Sequence, residues 1–192
     1  PVEVPAVTTN VVCGSGLNCV NQAAEMILAG DADVVIAGGM ENMSMSPYAV
    51  PNGRFGYRMG NGTLVDTMVN DALTDAFYQY HMGITAENVA GKWGLTRREL
   101  DEFAAWSQSK AANAQEEGRF EREIVPVTVK KKKETILVSR DEGIRPGTTA
   151  DSIAKLRPAF KEGGVVTAAN SSGINDGAAA LIVIDRKSTR LN

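Results

Sequence analysis

Cys13 follows a run of β-branched and small residues, 8–12, and precedes the glycine-rich turn 14–16 and a helical pattern. This order predicts a thiol at the N-terminus of a helix. Unpaired backbone N–H groups and the positive end of the helix dipole favour thiolate over thiol there. Because thiolate is the nucleophilic form, the sequence predicts that Cys13 is a nucleophile and that the chain carries out acyl chemistry.

The chain contains two cysteines in 192 residues, which argues against a disulfide framework and a four-thiolate zinc site. On one helix, Cys13 and Cys19 would be about 9 Å apart along the axis, too far for a disulfide. Both are therefore predicted to be free thiols in a reducing compartment. Cys19 is expected to be a small buried hydrophobe.

Composition excludes several classes of protein. With a net charge of −3 and 22% charged residues, the chain has no basic excess for nucleic acid. No apolar stretch approaches the length of a membrane span, and Pro1 is not followed by a signal-peptide pattern. One histidine and scattered carboxylates do not suggest a metal site. The sequence therefore predicts a globular protein without nucleic-acid or membrane partners.

The elements around Cys13 fit a layered α/β domain. Their predicted order is strand 6–12, helix 17–29 ending at Gly30, and strand 33–37 closed by Gly38 and Gly39. The apolar strands are typical of a sheet covered by helices on both faces. Cys13 would then lie beyond the carboxyl end of a strand, where such sheets usually bind ligands.

The alternation of apolar strands and helices does not continue in the middle of the chain. Residues 43–62 are predicted to be an irregular loop, and a later loop before the C-terminal strand is rich in small residues. The predicted elements are helix 71–80, helix 96–118 with a Thr96–Glu99 capping box, strand 123–129, a solvated hairpin at 130–133, loop 168–177 and a buried strand 178–184.

Five blocks, in order, resemble the thiolase family, the acetyl-CoA acetyltransferases. They are Asn-Val-Val-Cys-Gly-Ser-Gly-Leu at 10–17, Ala-Gly-Gly-Met-Glu-Asn-Met-Ser at 37–44, His-Met-Gly-Ile-Thr-Ala-Glu-Asn at 81–88, Leu-Arg-Pro-Ala-Phe at 156–160 and Asn-Ser-Ser-Gly-Ile-Asn-Asp-Gly at 170–177. The His-Met-Gly form is most similar to the short-chain, acetoacetyl-CoA type.

The resemblance implies an α/β, thiolase-like layered α-β-α fold, seen as an incomplete N-terminal half with an inserted α+β loop domain. The implied domains are 1–43 in the N-terminal half, 44–165 as a CoA-binding insert, 166–185 as a return to that half, and a non-family tail at 186–192. The family's Gly-His-Pro and Cys-x-Gly-Gly blocks do not occur in the sequence. The chain alone is therefore expected to be inactive, because it lacks the C-terminal half.

The implied activity is that of an acetyl-CoA C-acetyltransferase, which condenses two acetyl-CoA to acetoacetyl-CoA or runs the reverse thiolysis through an acyl-enzyme on Cys13. Coenzyme A would be substrate and product, with no permanently bound cofactor and no metal. The complete protein is expected to be a homo-oligomer, dimer or tetramer, in the cytoplasm. Because the chain starts at Pro1 rather than Met, organelle targeting stays open.

By resemblance, the substrate-binding residues come from the insert and the loop after it. Other interpretations stay open for three of them. These are a solvated loop charge for Arg145, a helix cap for Ser152 and a structural histidine for His81. The implied set is Arg145 near the adenine and phosphates, Ser152 and Leu156 along the pantetheine slot, Phe160 beneath it, Ala168 and Ser172 beside the pantetheine amides, Met82 at the acyl pocket, and His81 in the pocket.

Two alternative functions stay open at this point. One is a thiolase-like condensing enzyme or a non-catalytic acyl-CoA-binding protein of the same fold, in which Cys13 is still acylated but its downstream partners differ. The other is a binding or structural α/β domain in which Cys13 is inert. Faster alkylation of Cys13 than of Cys19 by iodoacetamide near neutral pH would separate the last from the others.

Overall fold

A computed structural model of the chain describes residues 2–132 and 134–186. Within them, the elements are helices and three antiparallel strand pairs. The helices are α1 (Ser15–Ala29), α2 (Met82–Trp93), α3 (Arg97–Glu116) and α4 (Ala150–Ile153). The strands are β1 (Val34–Asn42), β2 (Tyr48–Ala49), β3 (Val65–Asp66), β4 (Val127–Lys131), β5 (Glu134–Val138) and β6 (Asp176–Ile184), paired β1–β6, β2–β3 and β4–β5. A 3-10 turn (Met43–Met45) and a π-helical turn (Met68–Ala72) complete the described elements.

The chain divides into two compact units. The first unit comprises the chain up to Leu73 and from Ile174 onward, and the second comprises Thr74–Gly173. The sequence placed the insert at 44–165 instead. The second unit overlaps most of that segment, but the assignment of 44–165 to CoA binding stays a prediction.

In the first unit, α1 packs against the β1–β6 pair, whose register runs from Val34 opposite Ile184 to Asn42 opposite Asp176. The predicted helix after Cys13 is confirmed, and it ends where Gly30 adopts a left-handed φ of 81°. Ala23 on α1 is buried, as is Ala37 on β1. Small buried side chains let the helix lie close to the sheet.

The predicted strand 6–12 is wrong, because no strand occurs there among the described residues. At the end of this segment, side chains rather than a neighbouring strand accept from the backbone amides. Asn10 Oδ1 accepts from the Val12 amide at 2.9 Å, and Ser15 Oγ accepts from the Val11 amide at 2.9 Å. Such local bonds compete with a β-ladder. Cys13 therefore follows an irregular segment and not a strand.

The predicted strand 33–37 is confirmed but is longer, because Gly38 and Gly39 do not close it. β1 continues through both glycines, and a Cβ on Gly38 would lie 2.7 Å from the Ala179 carbonyl oxygen. Glycine is therefore required by close approach of β6 rather than by a turn.

The C-terminal strand is also confirmed, and β6 begins earlier than predicted, at Asp176. It was predicted to be buried, and this is wrong for most of its residues: Ile182, for example, is 71% exposed. Its partner strand likewise leaves Ile36 exposed, so the sheet has an uncovered apolar surface within this chain. Of the predicted tail 186–192, residues 187–192 lie outside the described residues, and the prediction stays untested.

In the second unit, the long helix is confirmed as α3, with both hydrogen bonds of the Thr96–Glu99 capping box present. The sequence missed α2. This helix begins after His81, whose Nδ1 accepts from the Gly83 amide at 2.9 Å, and it ends at Gly94 with a φ of 65°. Histidine is not among the usual N-cap residues, and Gly83 and Gly91 weaken the helical pattern.

The predicted helix 71–80 is wrong. The Asp75 carboxylate accepts from the amides of Phe77 and Tyr78, and its own amide donates to the Tyr80 carbonyl at 2.8 Å. Gln79 adopts a left-handed φ of 57°. The aspartate therefore organises a tight turn, which replaces a continuous helix.

The predicted strand 123–129 begins only after Pro126, as β4, and pairs with β5, which was not predicted. Proline offers no N–H to a ladder, which accounts for the late start. Lys130 and Lys131 end β4 and Lys132 follows them; all three are exposed, as predicted for a solvated segment, and Lys133 lies outside the described residues.

Candidate active site

Cys13 is exposed and lies two residues before the first residue of α1, with Gly14 as the helix N-cap. The preceding residue, Val12, has a left-handed φ of 54°. For a β-branched residue this conformation costs on the order of 1–3 kcal/mol and is found most often at functional sites. The sequence did not predict this strained turn.

Ser15 holds the turn that presents Cys13. Its hydroxyl donates to the Val12 carbonyl at 2.6 Å and accepts from the Val11 amide at 2.9 Å. Gly14 also donates to the Val11 carbonyl at 3.1 Å. Because one hydroxyl satisfies backbone groups on both sides of the strained residue, Ser15 fixes the position of the thiol. Cys19, further along α1, is half-buried, and both thiols are free as predicted.

The 3-10 turn after β1 is joined to the start of β6 by two hydrogen bonds to one carboxylate. The Ser44 hydroxyl donates to Asp176 Oδ2 and the Ser44 amide donates to Asp176 Oδ1 at 3.0 Å. The hydroxyl bond, and then the amide bond, hold the pKa of the Asp176 carboxyl below its usual range. Two of the family-like blocks, 37–44 and 170–177, meet through this pair.

In the second unit, three of the predicted site residues are neighbours or lie in contact. The His81 ring stacks on Phe160, with ring centroids 4.9 Å apart and planes 19° from parallel, and Met82 is the next residue along the chain. Since His81 Nδ1 accepts from the Gly83 amide, its proton is assigned to Nε2. Gly83 allows the stacking, because a Cβ there would lie 2.2 Å from the Phe160 ring. The structural role of the histidine is therefore present, and a pocket role stays a prediction.

Ser152 has the helix-cap role that the sequence left open. Its hydroxyl donates to the Thr149 carbonyl at 2.7 Å and accepts from the Thr149 amide at 3.1 Å, at the start of α4. The predicted contact with CoA stays a prediction, and it would compete with these bonds. Leu156, after α4, is 43% exposed.

Arg145 is exposed, and its guanidinium donates to the Glu142 carbonyl at 2.7 Å rather than to a carboxylate. Its amide donates to Gln108 Oε1 at 2.7 Å, and its carbonyl accepts from the Thr148 hydroxyl at 2.7 Å. The backbone of this loop is thus fixed. A cation whose described partners are neutral is compatible with an anionic ligand, and that contact also stays a prediction.

Ala168 and Ser172 lie in an ordered turn and are both exposed. Buried neighbours hold the turn: Thr167 is fully buried, and its carbonyl accepts from the Ser171 hydroxyl at 2.6 Å. The turn therefore presents to solvent the two residues that were predicted to line the pantetheine.

Glu87 is a supporting residue that the sequence did not identify. Its carboxylate is buried on α2 and accepts from the amides of Val165 and Val166, at 3.1 and 2.8 Å. A Cβ on Gly164 would lie 2.2 Å from this carboxylate, which requires glycine there. A charged residue among the apolar positions of a helix is the only local signal for such a role.

Within residues 2–132 and 134–186, no group of three or more His, Cys, Asp or Glu side chains could hold a metal ion. Nor does any helix in that part of the chain combine the length and apolar character needed to cross a bilayer.

Residues 1–187 match the family described as "Thiolase, N-terminal domain". The chain belongs to the thiolase family. Among curated thiolase relatives, it is 60% identical to an acetyl-CoA acetyltransferase of Chromobacterium violaceum over 96% of this chain and 47% of that protein. It is 56% identical to a probable acetyl-CoA acyltransferase of Staphylococcus epidermidis with the same shares covered. The chain thus spans about half the length of these relatives.

Solved thiolase structures share the fold. An acetyl-CoA acetyltransferase from Syntrophomonas wolfei matches with a TM-score of 0.88 and 46% identity, covering 92% of this chain and 44% of that one. Human mitochondrial 3-ketoacyl-CoA thiolase matches with a TM-score of 0.93 and 41% identity, covering 99% and 48%. The family and the thiolase-like fold of the N-terminal half, both predicted from the five blocks, are confirmed.

Proposed function

We propose that the complete protein carrying this chain is an acetyl-CoA C-acetyltransferase, which condenses two acetyl-CoA to acetoacetyl-CoA or runs the reverse thiolysis. The observation that carries this proposal is the exposed thiol of Cys13 at the start of α1, behind the strained Val12. The names of the relatives at 56–60% identity support the same activity.

In the first step, the Cys13 thiolate attacks the carbonyl carbon of an acyl-CoA. The carbon–sulfur bond to CoA breaks, CoA leaves as a thiolate that takes up a proton, and Cys13 holds the acyl group as a thioester. The amide groups at the start of α1 are suited to stabilise the negative oxygen that forms during attack. Ser15 contributes by holding the backbone of the two residues before the thiol.

In the second step, an α-proton of acetyl-CoA passes to a base, and the resulting carbanion attacks the Cys13 thioester. The new carbon–carbon bond forms as the bond to Cys13 sulfur breaks. By family resemblance, the base and the group that activates the nucleophile come from the Gly-His-Pro and Cys-x-Gly-Gly blocks, which are absent from these 192 residues. His81 is the chain's only histidine, and its Nδ1 is occupied by the Gly83 amide.

For CoA binding, we assign the charge to Arg145 and the pantetheine contacts to Leu156, Ala168 and Ser172. All four residues are exposed, and the backbone around them is held by hydrogen bonds from buried or neighbouring groups. Ser152 contacts CoA only if its capping bonds rearrange. Phe160 is assigned to the floor of the slot, and Met82 and His81 to the acyl pocket, on the family resemblance.

The proposal extends to the cellular setting. CoA is substrate and product, with no permanently bound cofactor, and the role lies in fatty acid metabolism. The complete protein acts as a homo-oligomer, dimer or tetramer, in the cytoplasm, where the two free thiols of this chain stay reduced. Sedimentation of the complete protein and its cellular fractionation test these two points.

The activity is tested by incubating the complete protein with acetyl-labelled acetyl-CoA and mapping the thioester. Label on Cys13 together with thiolysis of acetoacetyl-CoA is the expected result. Label on Cys19, or on no residue of this chain, would contradict the proposed nucleophile. Label on Cys13 without thiolysis or condensation of acetyl units would favour the non-catalytic or differently partnered protein of the same fold.

A further inference from the structure

Asp101 is a buried carboxylate on α3 that the proposed reaction does not use. Its side chain is 2% exposed, and both of its oxygens accept hydrogen bonds. Oδ2 accepts from Arg97 Nε at 2.8 Å, and Oδ1 accepts from Asn170 Nδ2 at 3.0 Å. A buried charge is tolerated only when it is paired and hydrogen bonded in this way. The two donors lead to two different segments of the second unit.

The Arg97 guanidinium donates hydrogen bonds to the last residue of α4 and to the segment after it. Its Nη1 donates to the Leu156 carbonyl at 3.0 Å, and its Nη2 donates to the carbonyls of Ile153 and Ala154 at 3.0 and 3.3 Å. Carbonyls at the end of a helix lack partners within the helix, and an arginine fork satisfies several of them at once. The segment that carries Leu156 is thereby fastened to α3.

The Asn170 side-chain amide forms hydrogen bonds with the turn that contains Ala168. Its Oδ1 accepts from the Thr167 amide at 2.7 Å, and its Nδ2 donates to the Val165 carbonyl at 3.1 Å as well as to Asp101. The side chain therefore spans the turn from inside and connects it to the same carboxylate.

We propose that Asp101 is a positioning residue for CoA binding, because it holds segments 152–156 and 168–172 in register with each other. This inference rests on the proposed function, which assigns CoA contacts to both segments. Arg97 and Asn170 are held by opposite oxygens of one carboxylate. The Asp101→Asn substitution would leave only one acceptor and would turn an N–H₂ group toward one of the two donors. One link must then break.

Glu102 provides the matched control. It lies on the same helix and pairs with Arg98 at the same spacing, with Nε and Oε1 2.6 Å apart, but both side chains are more than half exposed. Exposed pairs of this kind contribute little. Asp101→Asn and Glu102→Gln therefore each remove one carboxylate charge from α3. Only Asp101→Asn also breaks the connection between the two segments.

The first measurement is CoA affinity by titration calorimetry, with KM and kcat for acetoacetyl-CoA thiolysis, in the complete protein. Loss of a charged, buried hydrogen bond leads us to expect Asp101→Asn to raise Kd and KM about tenfold and to change kcat less than about threefold. Glu102→Gln should stay within about twofold of wild type in all three. Wild-type Kd and KM for Asp101→Asn would overturn the inference.

The second measurement is amide hydrogen exchange without ligand, which does not depend on the proposed function. Because Asp101→Asn breaks at least one link, it should speed the exchange of the Leu156 amide, the Thr167 amide or both, and Glu102→Gln should speed neither. Wild-type exchange at both amides would overturn the coupling. If wild-type protein binds no CoA, the proposed function fails, the CoA role of Asp101 fails with it, and exchange still decides whether the segments are coupled.

A third measurement separates coupling from two independent structural roles. Arg97→Lys and Asn170→Ala are combined, and the increase in Kd for CoA is compared with the product of the single effects. We expect the double variant to fall below that product, because either change already releases the link. A fully multiplicative result would contradict the coupling. If Asp101→Asn does not yield folded protein, the first two measurements are made on Arg97→Lys instead. That substitution keeps the positive charge but removes the forked guanidinium.

Discussion

The surroundings of Cys13 in the first unit and of Asp101 in the second are built in opposite ways. Around Cys13 the hydrogen bonds join residues two to four positions apart, and the thiol is exposed. Around Asp101 the bonds from Arg97 to Leu156 and from Asn170 to Asp101 join residues tens of positions apart, and the carboxylate is buried. A nucleophile needs access and a fixed direction, which a short turn provides. A ligand-binding surface made from separate segments needs a connection between them.

The difference suggests a division of labour. Changes near Cys13 should act on the chemical step, whereas changes in the second unit should act on affinity and on stability. Glu87 extends the pattern in the second unit, since its buried carboxylate accepts from two amides 78 and 79 positions further along the chain. This division would be contradicted by a variant near Cys13 that changes mainly affinity or stability, or by a variant in the second unit that changes mainly the chemical step.

Cys13→Ala should have the largest effect, on turnover. Without the sulfur no acyl-enzyme forms, and we expect kcat of the complete protein to fall by about 10⁴-fold or more. Steady-state thiolysis measures this. Cys19→Ala is the control and should keep most of the activity, since Cys19 is half-buried along α1. Equal losses for the two variants would argue that structure, and not nucleophilicity, accounts for the Cys13 effect.

Gly83→Ala should have the largest effect on stability. The new Cβ would lie 2.2 Å from the Phe160 ring that stacks on His81, so we expect the free energy of unfolding to fall by about 2–3 kcal/mol. Gly91→Ala in the same helix has no atom within 4 Å and should stabilise by about 0.5–1 kcal/mol. Denaturant unfolding of both variants tests this. A stable Gly83→Ala protein would contradict the close approach of Phe160.

The sequence predicted those parts of the fold whose signals are local. The stop of α1 at Gly30 and the start of α3 at Thr96 each depend on residues within one helical turn, and both are present. The position of Cys13 before a helix and the family were predicted for the same reason, since each block is a short contiguous pattern.

The parts of the fold that the sequence did not predict depend on distant partners or on competing local hydrogen bonds. Residues 6–12 have strand-forming side chains, but Asn10 and Ser15 satisfy the backbone near Cys13 instead. The pairing of β1 with β6 and the link from Asp101 to Asn170 join residues 69 or more positions apart. No spacing rule along the chain indicates which distant residue a carboxylate will meet.

Arg145→Ala should act on affinity rather than on the chemical step. Its guanidinium is exposed and contacts backbone carbonyls, so its removal takes away binding that is present in both ground and transition states. We expect KM for acetyl-CoA to rise about tenfold, with kcat changed less than about twofold. Arg140→Ala, another exposed arginine of the same unit, is the control and should leave KM near wild type. A collapse of kcat with unchanged KM would break the proposed division.

Ser44→Ala tests the side-chain contact between Ser44 and Asp176 in the first unit, and we expect the smallest effect. The Ser44 hydroxyl lowers the pKa of Asp176 in the folded state. A carboxyl whose pKa is lower when folded stabilises the fold above its unfolded pKa of about 3.9, and this stabilisation disappears as the pH falls through the folded value.

Wild-type and Ser44→Ala proteins should therefore differ most in free energy of unfolding near neutral pH, and their difference should shrink below about pH 4. Urea unfolding across pH 3–7 measures this, with Ser46→Ala as the control. A difference that stays constant into acid would mean that the hydroxyl does not act through the Asp176 charge. Since Asp176 is exposed, the change should be smaller than that for Gly83→Ala, which would sharpen the contrast between an exposed tie in the first unit and buried packing in the second.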